Sequence, residues 1–427
     1  MNTRPLSITL ALVALGFAAG AHAQTTTRYS VLFQGKPAGA QTTVTDDNRV
    51  TVDYSYRNNG RGPDVKEEYS WTRDGALKSF RLTGKSTVGS AINESYVRDG
   101  DKATWTSTAD KGEITAKGST FYLPASESSV ESLAALVRTT VKAGGRIDAV
   151  PGGEIAVRKL ESIDVARGDD KRKVALFALT GVGLQPSFVW LDDDTTEALF
   201  GFVDTGFAES ATVLQGWETV APTLRQRQLA AEGDMLAAFA QKHRHPLAGT
   251  TVIRNARVFD SAKAALGEAS DVYVEDGNVV EIAAAGKSRR KADQSVDAAG
   301  RVLLPGLFDM HGHESAWAAP LHIAAGVTTV RDLGNDNTTL ADLSAKIEAG
   351  TRLGARIVPA GFIEGESPYS ARYGFVIKDL AGAKKAIDWY AEHHYPQIKI
   401  YNSFPKEILK ETTAYAHEKG IDRKSVV

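Results

Sequence analysis

The sequence predicts a multidomain chain: an antiparallel β domain carrying one helix, then a small β segment, then strands alternating with helices. Three observations point there. Residues 28–216 alternate apolar and polar side chains in strand fashion, with hairpin dipeptides between the runs. The pattern changes at Leu247, and beyond Val302 short apolar strands alternate with helical stretches. The length, 427 residues, suits two or three domains at about 150 residues each.

Composition narrows the class. Hydrophobic residues are 42% and charged residues 24%, the balance of a chain that buries a core. The 50 Lys+Arg against 52 Asp+Glu leave a net charge of -2, so no basic excess marks a nucleic-acid partner. Cysteine is absent, which excludes disulfides, thiolate metal sites and a cysteine nucleophile.

Residues 1–23 read as a secretory signal peptide. Arg4 supplies the positive start, Leu6 to Ala18 the apolar run, and Ala21-His22-Ala23 the cleavage site before Gln24. The run is short of the roughly 20 residues a membrane span needs. The expectation is a periplasmic or secreted protein with no membrane segment after cleavage.

Residues 24–222 form the β-rich domain, to which the sequence assigns no role. Tyr29-Ser30-Val31-Leu32-Phe33 and Val50-Thr51-Val52-Asp53-Tyr54 are typical strands. Asp74-Gly75 and Asp99-Gly100 are hairpin turns, because both residue types tolerate positive φ. Ser128 and Glu131 make a capping box ahead of Val130, Leu133, Val137 and Val141 at helical spacing, and Gly144-Gly145 stops that helix. The aromatic residues read as core. Residues 223–246 are a connecting helix with Leu229, Met235, Leu236 and Phe239 on its apolar side. His243 and His245 near its end read as exposed or capping residues rather than as a metal pair.

Residues 247–302 are the small β segment. Asp271–Glu275 and Asn278–Ile282 make a hairpin around Asp276-Gly277. The basic run Lys287–Lys291 reads as a solvated loop. Residues 303–427 hold four βα units. The strands are Leu307–Met310, Val327–Val330, Arg356–Ala360 and Gln397–Tyr401. The helices are Ala316–Ala325, Thr339–Leu353, Leu380–His393 and Pro405–Lys419.

Parallel strands are buried on both faces, so polar residues inside them need a reason. In Asp309-Met310-His311-Gly312-His313, strand alternation points Asp309, His311 and His313 to one side. Residues two apart lie roughly 6.5 Å apart. Two imidazoles at that spacing can share a metal ion, or can be hydrogen-bonded histidines in a turn. Gly312 removes bulk from the opposite side. Lys399 lies mid-strand between Ile398 and Ile400, which face the helices, so Lys399 faces inward. A buried amine is disfavoured as an ammonium. It can act as a nucleophile or base, or take up carbon dioxide as a carbamate. It can also snorkel to the strand end or pair with a carboxylate.

Residues 250–420 resemble the amidohydrolase superfamily of metal-dependent hydrolases, nearest its imidazolonepropionase-like and prolidase-like branch. The resemblance is carried by Val302–His313, Gly326-Val327-Thr328-Thr329-Val330-Arg331-Asp332-Leu333-Gly334, Tyr395–Tyr401 and Ala416–Gly420. It implies a small β-sandwich segment and a partial (β/α)8 TIM barrel. It implies that His311 and His313 bind metal, and that carboxylated Lys399 bridges two metals, usually zinc, with two ions in the complete enzyme. His417 matches no ligand position and reads as structural, and Asp332 as an orienting group. The implied reaction is hydrolysis of a carbon–nitrogen bond in a small amide, cyclic amide or dipeptide by metal-activated water.

The family pattern also expects histidines on strands five and six and an aspartate on strand eight. No histidine follows Gly420. The expectation is therefore a truncated barrel with no catalytic aspartate, inactive alone. The alternative is a non-catalytic exported binding protein with a vestigial barrel. Substrate, metal identity and oligomeric state are not legible.

Overall fold

The computed structural model describes residues 24–425, apart from positions 74, 207, 208 and 372. The signal peptide, Asp74 of the first hairpin turn, and Val426-Val427 lie outside the described residues. No helix among the described residues is long and apolar enough to cross a membrane. Contacts divide the chain into two compact units, one reaching Glu154 and one running from Ile155 to the end, with short exchanged pieces near residues 32–37 and 58–60. The β-rich stretch is shared between them.

In the first unit, strands from Lys36–Asp46 to Lys111–Thr115 pair in sequence order as an antiparallel meander. Gly100, at φ 59°, turns the hairpin after Asp99. The unit is not wholly antiparallel: Thr120–Tyr122 and Arg146–Val150 pair in parallel, because helix α1 (Val130–Lys142) connects them as a crossover. The helix cap differs from the expected Ser128 box. Ser129 is the N-cap and accepts from the Ser132 amide. Glu131 does not reach back, since its carboxylate bonds Arg138 instead.

The second unit begins with five antiparallel strands between Glu154 and Leu214. Helix α2 (Ala221–His243) packs on them through Leu224 against Trp190, Phe200 and Val213. Burying such side chains stabilises the unit by about 1.5–3 kcal/mol each.

The small β segment is one five-stranded sheet, not a sandwich of two. Thr251–Asp260 is long enough for Gln294–Asp297 and Val302–Leu303 to pair with it one after the other, so no second layer forms. Asp276 and Gly277 turn the hairpin with φ 47° and 76°, as its turn type requires.

Four βα units follow. They are β1 (Leu307–Gly312) with α3 (Ala318–Ala324), β2 (Val327–Asp332) with α4 (Asn337–Glu348), β3 (Arg356–Gly365) with α5 (Leu380–Glu392), and β4 (Gln397–Ile400) with α6 (Leu409–Glu418). A short strand Phe375–Ile377 pairs with β3, and β5 (Asp422–Ser425) pairs with β4. All these pairings are parallel, in the order β1-β2-β3-β4-β5. Ile398 and Ile400 pack with Ala386, Ile387 and Tyr390 of α5 and Ala416 of α6. That fixes the opposite face of β4 for Lys399.

Candidate functional site

The histidine strand is held by a bulge. Its register with β2 slips between Asp309 and Gly312. Gly312 makes the close approach possible, since a Cβ there would sit 2.5 Å from Val330 Cγ1. Simple alternation therefore fails for one of the three residues. Asp309 does not join the histidines: its Oδ1 accepts from the His311 amide at 2.9 Å, and its Oδ2 lies 3.3 Å from His322 Nε2 on α3. His311 and His313 do come together, with ring centroids 5.7 Å apart.

His313 is oriented by its neighbour strand. Its Nδ1 lies 2.6 Å from the carbonyl oxygen of Gly334, just past β2. A carbonyl only accepts, so Nδ1 carries a proton, and in the neutral ring that tautomer leaves the lone pair on Nε2. This is how metal-ligating histidines are commonly fixed. The donor chemistry of the pair thus fits a divalent metal. Among the described residues, no three or more of His, Cys, Asp and Glu group as a metal site.

Asp332 braces the segment after the histidines. It is fully buried. Its carboxylate accepts from the amides of Glu314 (2.6 Å) and Gly334 (2.9 Å) and from Asn335 Nδ2 (3.1 Å). Asn335 Nδ2 also donates to the Glu314 carbonyl. These bonds tie the end of β1 to the end of β2. They make Asp332 a structural brace for this segment.

No pattern in the sequence marks Glu314. Its side chain is buried, and its Oε2 lies 2.9 Å from His322 Nδ1 without hydrogen-bond alignment. Burial pushes its carboxyl up, and the His322 imidazole partly offsets this. An Asp309–His322–Glu314 cluster thus backs the histidine pair from the α3 side.

Lys399 is 2% exposed, so it does not snorkel to water. It pairs in register with Phe362. Its Nζ lies 5.7 Å from the Phe362 ring and 5.0 Å from the Tyr401 ring, within cation–π range. Glu364, two residues beyond Phe362, is also buried and accepts from the Ser403 amide at 2.7 Å. Neither the aromatic walls nor Glu364 was legible beforehand, because they depend on which strands become neighbours.

Three strand steps separate β1 from β4. At about 4.8 Å per step a flat sheet would part Lys399 from the histidines by roughly 14 Å, so sheet curvature decides how closely they approach. His417 lies on the surface, 3.7 Å from Asp422. The His243 ring lies 4.5 Å from the Phe239 ring, tilted by 43°, at the exposed end of α2.

No protein-family model matches the chain. A curated dihydroorotase of Streptococcus pneumoniae serotype 4 is 34% identical over 102 residues, covering 22% of this chain and 24% of that protein. Among solved structures, a prolidase complexed with N-methylphosphonate-L-proline aligns at 18% identity and a TM-score of 0.35, covering 41% of this chain and 55% of its own. A bottromycin amidohydrolase aligns at 19% identity and a TM-score of 0.36, covering 44% and 40%. The chain thus spans about a quarter of the curated relative and about half of the solved ones.

Proposed function

We propose that the part of the chain from Thr251 onward belongs to a metal-dependent hydrolase of carbon–nitrogen bonds, acting on small amides, cyclic amides or dipeptides. The observation that carries this reading is the His311–His313 pair, with His313 Nδ1 committed to a carbonyl and Nε2 left for a ligand. The resemblance of Val302–His313 and Tyr395–Tyr401 to amidohydrolases supports it, as does the name of the dihydroorotase relative. Export to the periplasm or medium, through residues 1–23, is part of the same proposal.

His311 and His313 would hold the metal, which is zinc by resemblance, with two ions in the complete enzyme. Bound there, a divalent ion lowers the pKa of water and polarises a carbonyl. Lys399 would serve as a carbamate: its neutral amine adds to carbon dioxide and releases a proton. Phe362 and Tyr401 wall that amine off from water. Asp332 and Gly334 hold the loop so that His313 keeps its tautomer.

Zinc titration of the native chain and of His311→Ala and His313→Ala tests the reading. Native protein should bind zinc, and each variant should lose at least a hundredfold in affinity. A phosphonate analogue of an Xaa-Pro dipeptide should bind only with zinc present. Equal zinc binding by native and variant proteins overturns the metal site. Equal analogue binding after chelation overturns the hydrolase reading in favour of a binding protein.

A further inference from the structure

We propose that Trp317 is a positioning residue for the histidine pair, clamped by the carboxylate of Glu232 on α2. The proposal rests on the metal-site reading of His311 and His313.

Trp317 Nε1 donates to Glu232 Oε2 at 2.7 Å, across 85 residues of sequence. Glu232 is 5% exposed. Its other partners are neutral donors: Thr205 Oγ1 at 3.0 and 3.2 Å, and Gln228 Nε2 at 2.9 Å. Gln228 accepts in turn from Trp190 Nε1 at 3.2 Å. A buried carboxylate is costly unless its bonds are made, and an indole N–H can only donate. Each group thus needs the other. The Trp317 ring also packs 6.1 Å from the Phe188 ring, against the core that α2 shares with the preceding strands.

Trp317 stands four residues after His313 and is the N-cap residue of α3. His313 is therefore fixed on both sides. The Gly334 carbonyl holds its ring, and the Trp317–Glu232 bond holds the chain that leaves it. The β strands and α2 of this unit act through that bond as a buttress for the metal ligands. Partners one layer behind a metal ligand commonly govern affinity by tenfold or more.

The test uses the full chain, with Trp317→Phe, Glu232→Gln and Phe188→Leu. Trp317→Phe keeps the ring and removes the donor. Glu232→Gln leaves one acceptor oxygen for three donor groups. Phe188→Leu disturbs the same indole's packing and spares the bond. Hydrogen exchange of residues 311–319 is read without metal, and Co2+ affinity from the visible spectrum. Trp317→Phe should speed exchange in 311–319 about tenfold and weaken Co2+ about tenfold. Glu232→Gln should move both readouts in the same direction as Trp317→Phe. Native exchange in Trp317→Phe overturns the proposal, and so does an equal effect from Phe188→Leu. If native protein and His311→Ala bind Co2+ alike, the metal-site reading fails, and with it the part of this proposal that concerns metal. The exchange result still decides the clamp.

Discussion

Lys399 and Phe362 are register partners on adjacent parallel strands, and the amine of one lies 5.7 Å from the ring of the other. An amine held that way, at 2% exposure, is kept out of bulk water. Lys399→Met keeps an unbranched side chain and removes the amine. It should lose the carbamate signal that native protein gives with 13C-labelled carbon dioxide, read by 13C NMR. An unchanged signal in the variant would place that carbamate on another amine.

Gly334 sits at φ 146°, and a Cβ there would lie 2.7 Å from Phe362 Cδ2. Gly334→Ala should cost roughly 1–3 kcal/mol in strain. Because the Gly334 carbonyl orients His313, the same change should release that imidazole. The 15N resonances of His313 should then show exchange between tautomers. An unchanged Nδ1–H signal would argue that the loop absorbs the methyl group.

Asp332 uses both carboxylate oxygens as acceptors for three donors. An asparagine supplies one oxygen and turns an NH2 toward the other donors. Asp332→Asn should lose about 1–3 kcal/mol, measured by urea unfolding. A neutral result would show that the loop closes without this brace.

Glu67, in the first unit, is fully buried and accepts from the Ser129 amide and hydroxyl at the start of α1. Burial dominates over those bonds and pushes its pKa up to about 7 from 4.5. A carboxyl raised on folding favours the protonated folded state. Its contribution is full below about pH 4.5 and is lost as pH rises through about 7. The span is worth roughly 3 kcal/mol. Stability relative to Glu67→Gln should therefore fall between pH 4.5 and 7 and level off above, in urea unfolding followed across pH. A flat difference would show that Ser129 keeps the carboxylate ionised throughout.

Much of the fold was legible because its signals are local. Asp276-Gly277 announced a hairpin by residue type, and both residues take the positive φ that the turn needs. The four βα units follow from apolar runs and helical spacing, with ends shifted by a few residues. Helix capping was less legible. Ser128 and Ser129 both suit an N-cap, and the choice fell to Ser129 because Glu67 meets it from another strand.

The sequence by itself determined that His311 and His313 share a side, that Lys399 faces away from the helices, and that Gly312 must be small. Each of these depends on backbone periodicity or on the space one Cβ takes. The tertiary structure alone decided that Asp309 turns to His322, that Lys399 lies between Phe362 and Tyr401, and that Trp317 meets Glu232. The physical reason is range. Alternation and helical period are set within a few residues, whereas a strand bulge, a register and a bond across 85 residues depend on which surfaces pack together.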